Sequence, residues 1–246
     1  MARKRSNGEG SIYRASNGYW YGEFKRQKTR GCRTQREARE ELDALKRYAD
    51  NVIAYCARVS NPANQDNPSI ERLIRYCARQ GHWSIFEMAS LCIEITTTRA
   101  ISAQIVRHRS FSFQEFSQRY APVSVIEHNH GRRQDVKNRQ NSLDDLPSDT
   151  QGWWQAAQAT AYANAQAVYQ EALDRGIARE CARMVLPMAS QTRLYMAGTV
   201  RSWIHYLDLR TGNGTQEEHR QIAESIKAIF VKALPVTAGA IWGGNE

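Results

Sequence analysis

The chain has no uninterrupted apolar run near the ~20 residues needed to cross a bilayer. Its opening residues, MARKRSNGEG, lack the apolar stretch of a secretory signal. Both absences lead us to expect a cytoplasmic protein with no membrane partner. Cysteine is sparse: Cys32, Cys56, Cys77, Cys92 and Cys181 contain no CxxC pair and leave one over. That excludes a zinc framework and a disulfide-stapled scaffold, so reduced thiols and no metal are expected. Cys56, Cys77 and Cys92 lie in apolar patterns and are expected in the core. There is no internal repeat. Acidic residues are nearly missing from the first 36 positions, where ten Lys or Arg face only Glu9 and Glu23. The net charge of +9 therefore resides almost wholly in the N-terminal segment.

What is present is the composition of a globular protein, 41% hydrophobic and 24% charged. Its 246 residues are enough for one sizeable core plus a small appendage. Residues 1–35 form the appendage. The runs SIYRA and YWYGEFK, joined across SNG, predict a β-hairpin, with a third strand near GCRT. Thr34 and Glu37 have capping-box spacing for a following helix. The rest, 36–246, is a mixed domain. Helical spacing runs from Arg36 to Ser60, and Ser69 is placed to cap a helix presenting Ile70, Leu73, Ile74 and Cys77, which Gly81 ends. ASLCIEITTT alternates as a strand, and a short helix through Ile101 and Ile105 follows it. Residues 127–152 are almost wholly polar and read as a long mobile loop. An Ala-rich helix follows, closed by Gly176, then a strand at TRLYMAG. From Thr199, a helix carries Val200, Trp203, Ile204 and Leu207 on one face. Thr215 and Glu218 predict a second capping box, and Pro235 is expected to stop that helix.

The stretch RHRSFSFQEFSQRY, Arg107 to Tyr120, concentrates the chemistry. Its arginines offer bidentate forks for phosphate. Ser112 and Ser117 can donate to phosphate oxygens, Glu115 can accept from a sugar hydroxyl or a ring N–H, and three phenylalanines supply a flat floor. That combination suits a nucleotide. By composition alone it suits better a helix end whose solvated arginines overlie buried phenylalanines. Ser117 has no neighbouring activating base, so phosphate binding rather than nucleophilic attack is its expected task.

Arg107-His108-Arg109, seven residues, then Ser117 resembles the signature of the flavin-dependent thymidylate synthases. AYCARVSNP (54–62), GHWSIFE (81–87), KNRQNS (137–142), ARMVLP (182–187) and RSWIHYLDLR (201–210) are similar to segments of that family in the same order. The resemblance covers roughly residues 46–241. It implies an α+β fold with a central, mainly antiparallel sheet packed with helices. The implied activity is reductive methylation of dUMP to dTMP, with methylenetetrahydrofolate as carbon donor and FAD, reduced by NADPH, as hydride source. It also implies a homotetramer whose sites are shared between subunits.

Matched to dUMP positions of the family are Gln104, Arg107, Glu115, Ser117, Gln118, Arg119, Arg183 and Arg210. Arg107 and Arg119 would take the phosphate, and Arg183 the uracil ring. Arg210 matches the arginine that favours ionisation at N3 of uracil, the electrostatic step of the reaction. Matched to FAD positions are Ser60, His82, Ser84, Arg107, His108, Arg109, Glu115, Thr199, Arg201 and His205. Gln114, Thr199 and His205 depart from common family residues. The N-terminal unit resembles the arm-type DNA-binding domain of phage integrases, which implies DNA binding through residues 1–35, dominated by phosphate contacts.

Overall fold

The computed structural model describes residues 11–14, 20–24, 27–28, 34, 36 and 48–243. They fall into two compact units. One combines the described residues up to Ala89 with those from Lys227 onward, and the other is Ser90–Ile226.

In the first unit the two N-terminal runs form β1 (Ser11–Arg14) and β2 (Trp20–Phe24), antiparallel in a register from Ser11↔Glu23 to Arg14↔Trp20. The third strand, β3 (Gln27–Lys28), comes earlier than expected. It pairs antiparallel with β2 in the register Glu23↔Lys28 and Phe24↔Gln27. The expectations for Gly31–Arg33, for a capping box at Glu37 and for a helix before Tyr48 lie outside the described residues. Helix α1 (Tyr48–Ala57) and α2 (Glu71–Arg79) follow. Ile53, Ala54, Ile70 and Ile74 are buried together with Phe86 from the short 3-10 turn Trp83–Glu87.

Ser69 does not cap α2; its backbone N–H is itself held by Asn67 Oδ1 at 2.9 Å. The intervening polar turn is fastened instead by Arg58, which donates to the carbonyls of Asn67 (2.5 Å) and Ser69 (2.6 Å). Gly81 does end α2. Its φ of +69° suits glycine, and the next N–H, that of His82, reaches back to Cys77 O at 2.9 Å. Pro235 opens the final helix (Pro235–Trp242), where a missing N–H costs nothing. That helix's first donors go to the fully buried Asp50 carboxylate: Val236 N (2.9 Å), Thr237 N (3.0 Å) and Thr237 Oγ1 (2.6 Å).

The second unit is built on a three-stranded antiparallel sheet of order β4 (Ser90–Thr98), β8 (Gln191–Thr199), β5 (Ser112–Glu115). Alternation along β4 buries Ile95 and Thr97 and turns Cys92 outward, so Cys92 is exposed rather than in the core. Cys77 is buried as expected. Helix α3 (Arg99–Ile105) leaves β4 with Thr98 as its cap, burying Ile101 and Ile105.

The polar segment after residue 126 is not a featureless loop. It forms a two-stranded ribbon, β6 (Arg133–Gln134) with β7 (Ser142–Leu143). The turn is made by polar side chains. Asp135 accepts from Lys137 N (2.8 Å) and Asn141 Nδ2 (2.9 Å), and Arg133 grips Asp145 through two nitrogens. Helix α4 (Ser148–Asp174) starts inside the expected loop and ends at Gly176, φ +82°. The short α5 (Arg179–Ala182) follows. Helix α6 (Val200–Arg210) is capped by Thr199 and buries Val200, Trp203, Ile204 and Leu207 as its spacing predicts. At the start of helix α7 (Glu217–Ala233) no hydrogen bond among the described residues joins Thr215 and Glu218 in the expected capping box; Thr215 N donates to Gly212 O and its Oγ1 to Leu209 O.

Gly198 has a packing reason: a Cβ there would collide with the Phe111 ring. That ring lies edge-on to Trp203, 4.8 Å between centroids.

Candidate active site

Two turns after β-strand and helix ends gather the cationic residues of the second unit. At the C-terminal end of α3 the chain makes a tight turn, His108 N bonding Ile105 O (3.1 Å) and Phe111 N bonding His108 O (3.2 Å). Phe111 is buried, so the turn is anchored from below while Arg107 and Arg109 project outward. Neither arginine forms a hydrogen bond or ion pair among the described residues.

His108 points inward, and the end of α6 meets it: Arg210 Nε donates to His108 Nε2 at 2.9 Å. A ring nitrogen that accepts from an arginine carries no proton, so His108 is neutral with its hydrogen on Nδ1. Tyr206, one turn earlier on α6, packs its ring edge-on against His108 with centroids 4.9 Å apart. Among the described residues the two Nη groups of Arg210 form no hydrogen bond or ion pair. Arg201, His205 and the end of α6 share one exposed side, one helical turn separating Arg201 from His205. The Thr199 hydroxyl is used as the helix cap, accepting from Ser202 N at 3.3 Å.

Sequence reasoning had not found the inner layer beside this group. Fully buried His219 lies between the Tyr206 hydroxyl (3.0 Å, to Nε2) and Gln104 Oε1 (3.3 Å, from Nδ1). One signal was available: His219 shares a helical stripe with the buried Ala223, Ile226 and Phe230.

Glu115, at the end of β5, sits in a second polar knot. Its Oε1 accepts from Arg99 (2.7 Å), Ser102 (2.6 Å) and Thr192 (3.0 Å). Only the other oxygen is left for a sugar hydroxyl or ring N–H. Beyond β5 the chain turns again: Ser117 Oγ accepts from Arg119 N (3.3 Å), and Gln118 is buried. Arg119 pairs with Glu180 of α5 at 3.1 Å, both about half exposed, and Arg183 Nε reaches the Glu180 carbonyl at 3.4 Å. Glu180 thus draws the two arginines expected at phosphate and uracil to one place. No hydrogen bond or ion pair among the described residues joins this cluster to the one around His108. Ser60, His82 and Ser84 lie in the other unit, all exposed; the His82 ring stands edge-on to Tyr76.

Burial, followed by the charges of Arg210, His205 and Arg107, lowers His108 from 6.5 to about 4. Burial, then Arg210 and His108, lowers His219 from 6.5 to about 4 as well. His108 is therefore no cation for an FAD phosphate, contrary to what its place between two arginines suggests. The unfolded chain binds these protons near pH 6.5 and the folded one does not, so unfolding takes up protons between the two values. The corresponding stability is intact above about 6.5 and is lost as pH falls toward 4. The melting temperature should accordingly fall from about pH 7 to pH 4, and less steeply in His219→Asn. Identical slopes for the two proteins would contradict the buried neutral His219.

The described residues contain no group of three or more His, Cys, Asp or Glu able to hold a metal. No described helix is long and apolar enough to cross a membrane.

The antiparallel α+β body that carries these residues is a fold shared with a solved nucleotide methylase. A UMP/dUMP methylase, PolB from Streptomyces cacaoi, solved with 5-Br dUMP, superposes with a TM-score of 0.69 at 30% identity, covering 78% of this chain and 89% of that one. The chain belongs to the thymidylate synthase complementing protein family, which matches residues 42–236. It is 56% identical over 192 residues to a flavin-dependent thymidylate synthase of Synechocystis sp., spanning 78% of this chain and 89% of that one. It is 53% identical over 195 residues to a probable flavin-dependent thymidylate synthase of Paramecium bursaria Chlorella virus 1, spanning 78% and 90%.

Proposed function

We infer that the chain methylates dUMP reductively to dTMP, with methylenetetrahydrofolate as carbon donor and FAD, reduced by NADPH, as hydride source. The observation that carries this is the hydrogen bond between Arg210 and His108. It joins residues 102 positions apart, from two segments that each match the family, and leaves both Arg210 Nη groups open beside them. The donor set suits a flavin dinucleotide. Exposed Arg107, Arg109 and Arg201 supply positive charge for a diphosphate, and neutral His108 together with the His205 side chain offers flat rings. FAD, when bound, supplies the redox chemistry, and the protein supplies binding, orientation and charge.

Arg119, Arg107, Ser117 and Gln118 take the dUMP phosphate, Arg119 exchanging Glu180 for it. Gln104, Arg183 and Arg210 face the nucleoside, and the free oxygen of Glu115 faces a sugar or ring donor. Ser60, His82, Ser84, Arg107, His108, Arg109, Arg201 and His205 contact FAD, with Thr199 contributing main chain, since its hydroxyl is spent on the cap. Among the described residues no hydrogen bond links Arg119 or Arg183 to the Arg210–His108 pair. That is the geometry expected of half-sites completed by a second subunit in a homotetramer. Residues 36–246 form the synthase domain, and the protein works in the cytoplasm.

The test is direct. Purified protein should take up FAD and form dTMP from dUMP, methylenetetrahydrofolate and NADPH. A chain that stays colourless after incubation with FAD sinks the proposal. The basic residues 1–35 add duplex DNA binding of the integrase-arm kind, steeply weakened by salt. Deleting residues 1–35 should abolish that binding, and binding unchanged by the deletion rejects it.

A further inference from the structure

The polar groups behind Gln104 form a chain in which every hydrogen bond has a forced direction. It begins at Glu218, whose Oε1 accepts from Arg132 Nη2 (2.6 Å) and Asn129 Nδ2 (3.1 Å). Burial raises the Glu218 carboxyl, but the hydrogen bonds from Arg132, the backbone and Gln216 outweigh it and leave the group below the usual carboxylate range. A carboxylate can only accept, so Gln216 must present its amide nitrogen to Glu218 Oε2, at 2.9 Å. Gln216 Oε1 is then turned toward Gln104 Nε2, at 2.6 Å. Gln104 in consequence presents Oε1 to His219 Nδ1, at 3.3 Å. Nδ1 must carry the ring proton, which leaves Nε2 to accept from the Tyr206 hydroxyl at 3.0 Å. Two amide orientations and one tautomer thus follow from one negative charge.

Gln104 is where this chain meets the ligand side. It is half-buried on α3, three residues before Arg107. One Nε2 hydrogen serves Gln216, and the second is left over. An amide free to flip would offer a ligand a donor and an acceptor in turn; this one offers the donor.

We propose that Glu218, Gln216 and His219 act as a polarity-setting chain that holds the Gln104 amide with one N–H aimed at an acceptor oxygen of the bound nucleotide. His219 is a positioning residue that works through Gln104. The proposal rests on the assignment of Gln104 to dUMP. It adds that the ligand atom there is an acceptor, a pyrimidine carbonyl or a sugar oxygen, and that its recognition is set by residues that never touch it. His219, fully buried and uncharged, is suited to this because it donates from one nitrogen only while the other is taken by Tyr206.

The experiment is equilibrium binding of dUMP to the FAD-loaded, full-length protein, which needs no turnover. His219→Phe keeps a flat ring but has no N–H and should weaken dUMP about tenfold, the loss of one well-oriented hydrogen bond. His219→Asn returns an N–H where Nδ1 stands and should recover affinity to within about threefold. Glu218→Gln, which frees the direction of the chain, should weaken dUMP several-fold without touching His219. On a Gln104→Ala background His219→Phe should change affinity by less than about twofold, because residues acting through one another are non-additive.

Additive losses in that double variant overturn the proposal, as does a His219→Asn protein no better than His219→Phe. Gln104→Ala with undiminished dUMP affinity removes Gln104 from the nucleotide, and the chain's role with it, while leaving the synthase activity standing. A wild-type protein that binds FAD but no dUMP overturns both readings.

Discussion

Arg210→Ala is expected to lower dTMP formation by about 10²–10³-fold while FAD remains bound. The guanidinium is held at the end of α6 by its Nε bond to His108, with the Nη fork open. A fixed positive charge already in place when negative charge develops on the uracil ring needs no reorganisation, which is why such groups contribute more to the rate than to substrate affinity. The substitution has a second signature. Arg210 is the second largest influence holding His108 down at about 4, so His108 should titrate higher in the variant and become protonated in mildly acid solution. Arg210→Lys keeps the charge without the planar fork and should recover only part of the rate. Turnover measured with saturating dUMP and flavin absorbance checks the pair of expectations. Near-normal turnover in Arg210→Ala would take Arg210 out of the chemistry.

Trp203→Ala is expected to cost about 4 kcal/mol, read from urea or thermal unfolding. Trp203 is fully buried, edge-on to Phe111 at 4.8 Å and to Tyr206 at 5.7 Å between centroids. Its indole N–H donates to Leu91 O at 3.1 Å, tying α6 to β4. Removal leaves a cavity under the Arg107–Phe111 turn and an unpaired carbonyl, two separate costs. Trp203→Phe keeps most of the volume and should recover more than half of the loss. Because Phe111 N donates to His108 O within the turn that carries Arg107 and Arg109, Trp203→Ala should also loosen FAD, whereas a destabilisation with unchanged flavin affinity would separate the core from the site.

Much of the α+β fold was legible in short-range pattern. β4 alternates, α6 begins after Thr199 and repeats at three and four, and Gly81 and Gly176 end helices at positive φ. Each of these features depends on neighbours within about a turn or a pleat, and spacing encodes such neighbours directly. Errors came where a residue had two local options of similar merit. Thr215 and Glu218 had capping-box spacing, yet Thr215 donates to Leu209 O while Glu218 serves Arg132 and Gln216. Pro235 does follow the end of α7 at Ala233, as expected, but it also opens a further helix whose first N–H groups buried Asp50 accepts, which its spacing did not disclose. Residues 127–152 lack apolar periodicity, and so concealed a ribbon whose turn is built by Asp135 and Asn141.

For the site, the amino-acid sequence by itself determined which residue types stand ready: exposed arginines at 107 and 109, Ser117 beside Arg119, and Arg210 at a helix end. Only the tertiary structure decided their states. It turned His108 from a cation into a neutral acceptor, set Glu180 between Arg119 and Arg183, and buried His219 against Gln104, 115 residues away. The physical reason is range. Periodicity records which side of an element is apolar, whereas protonation, amide orientation and ion pairing depend on the desolvation and partners that distant elements bring.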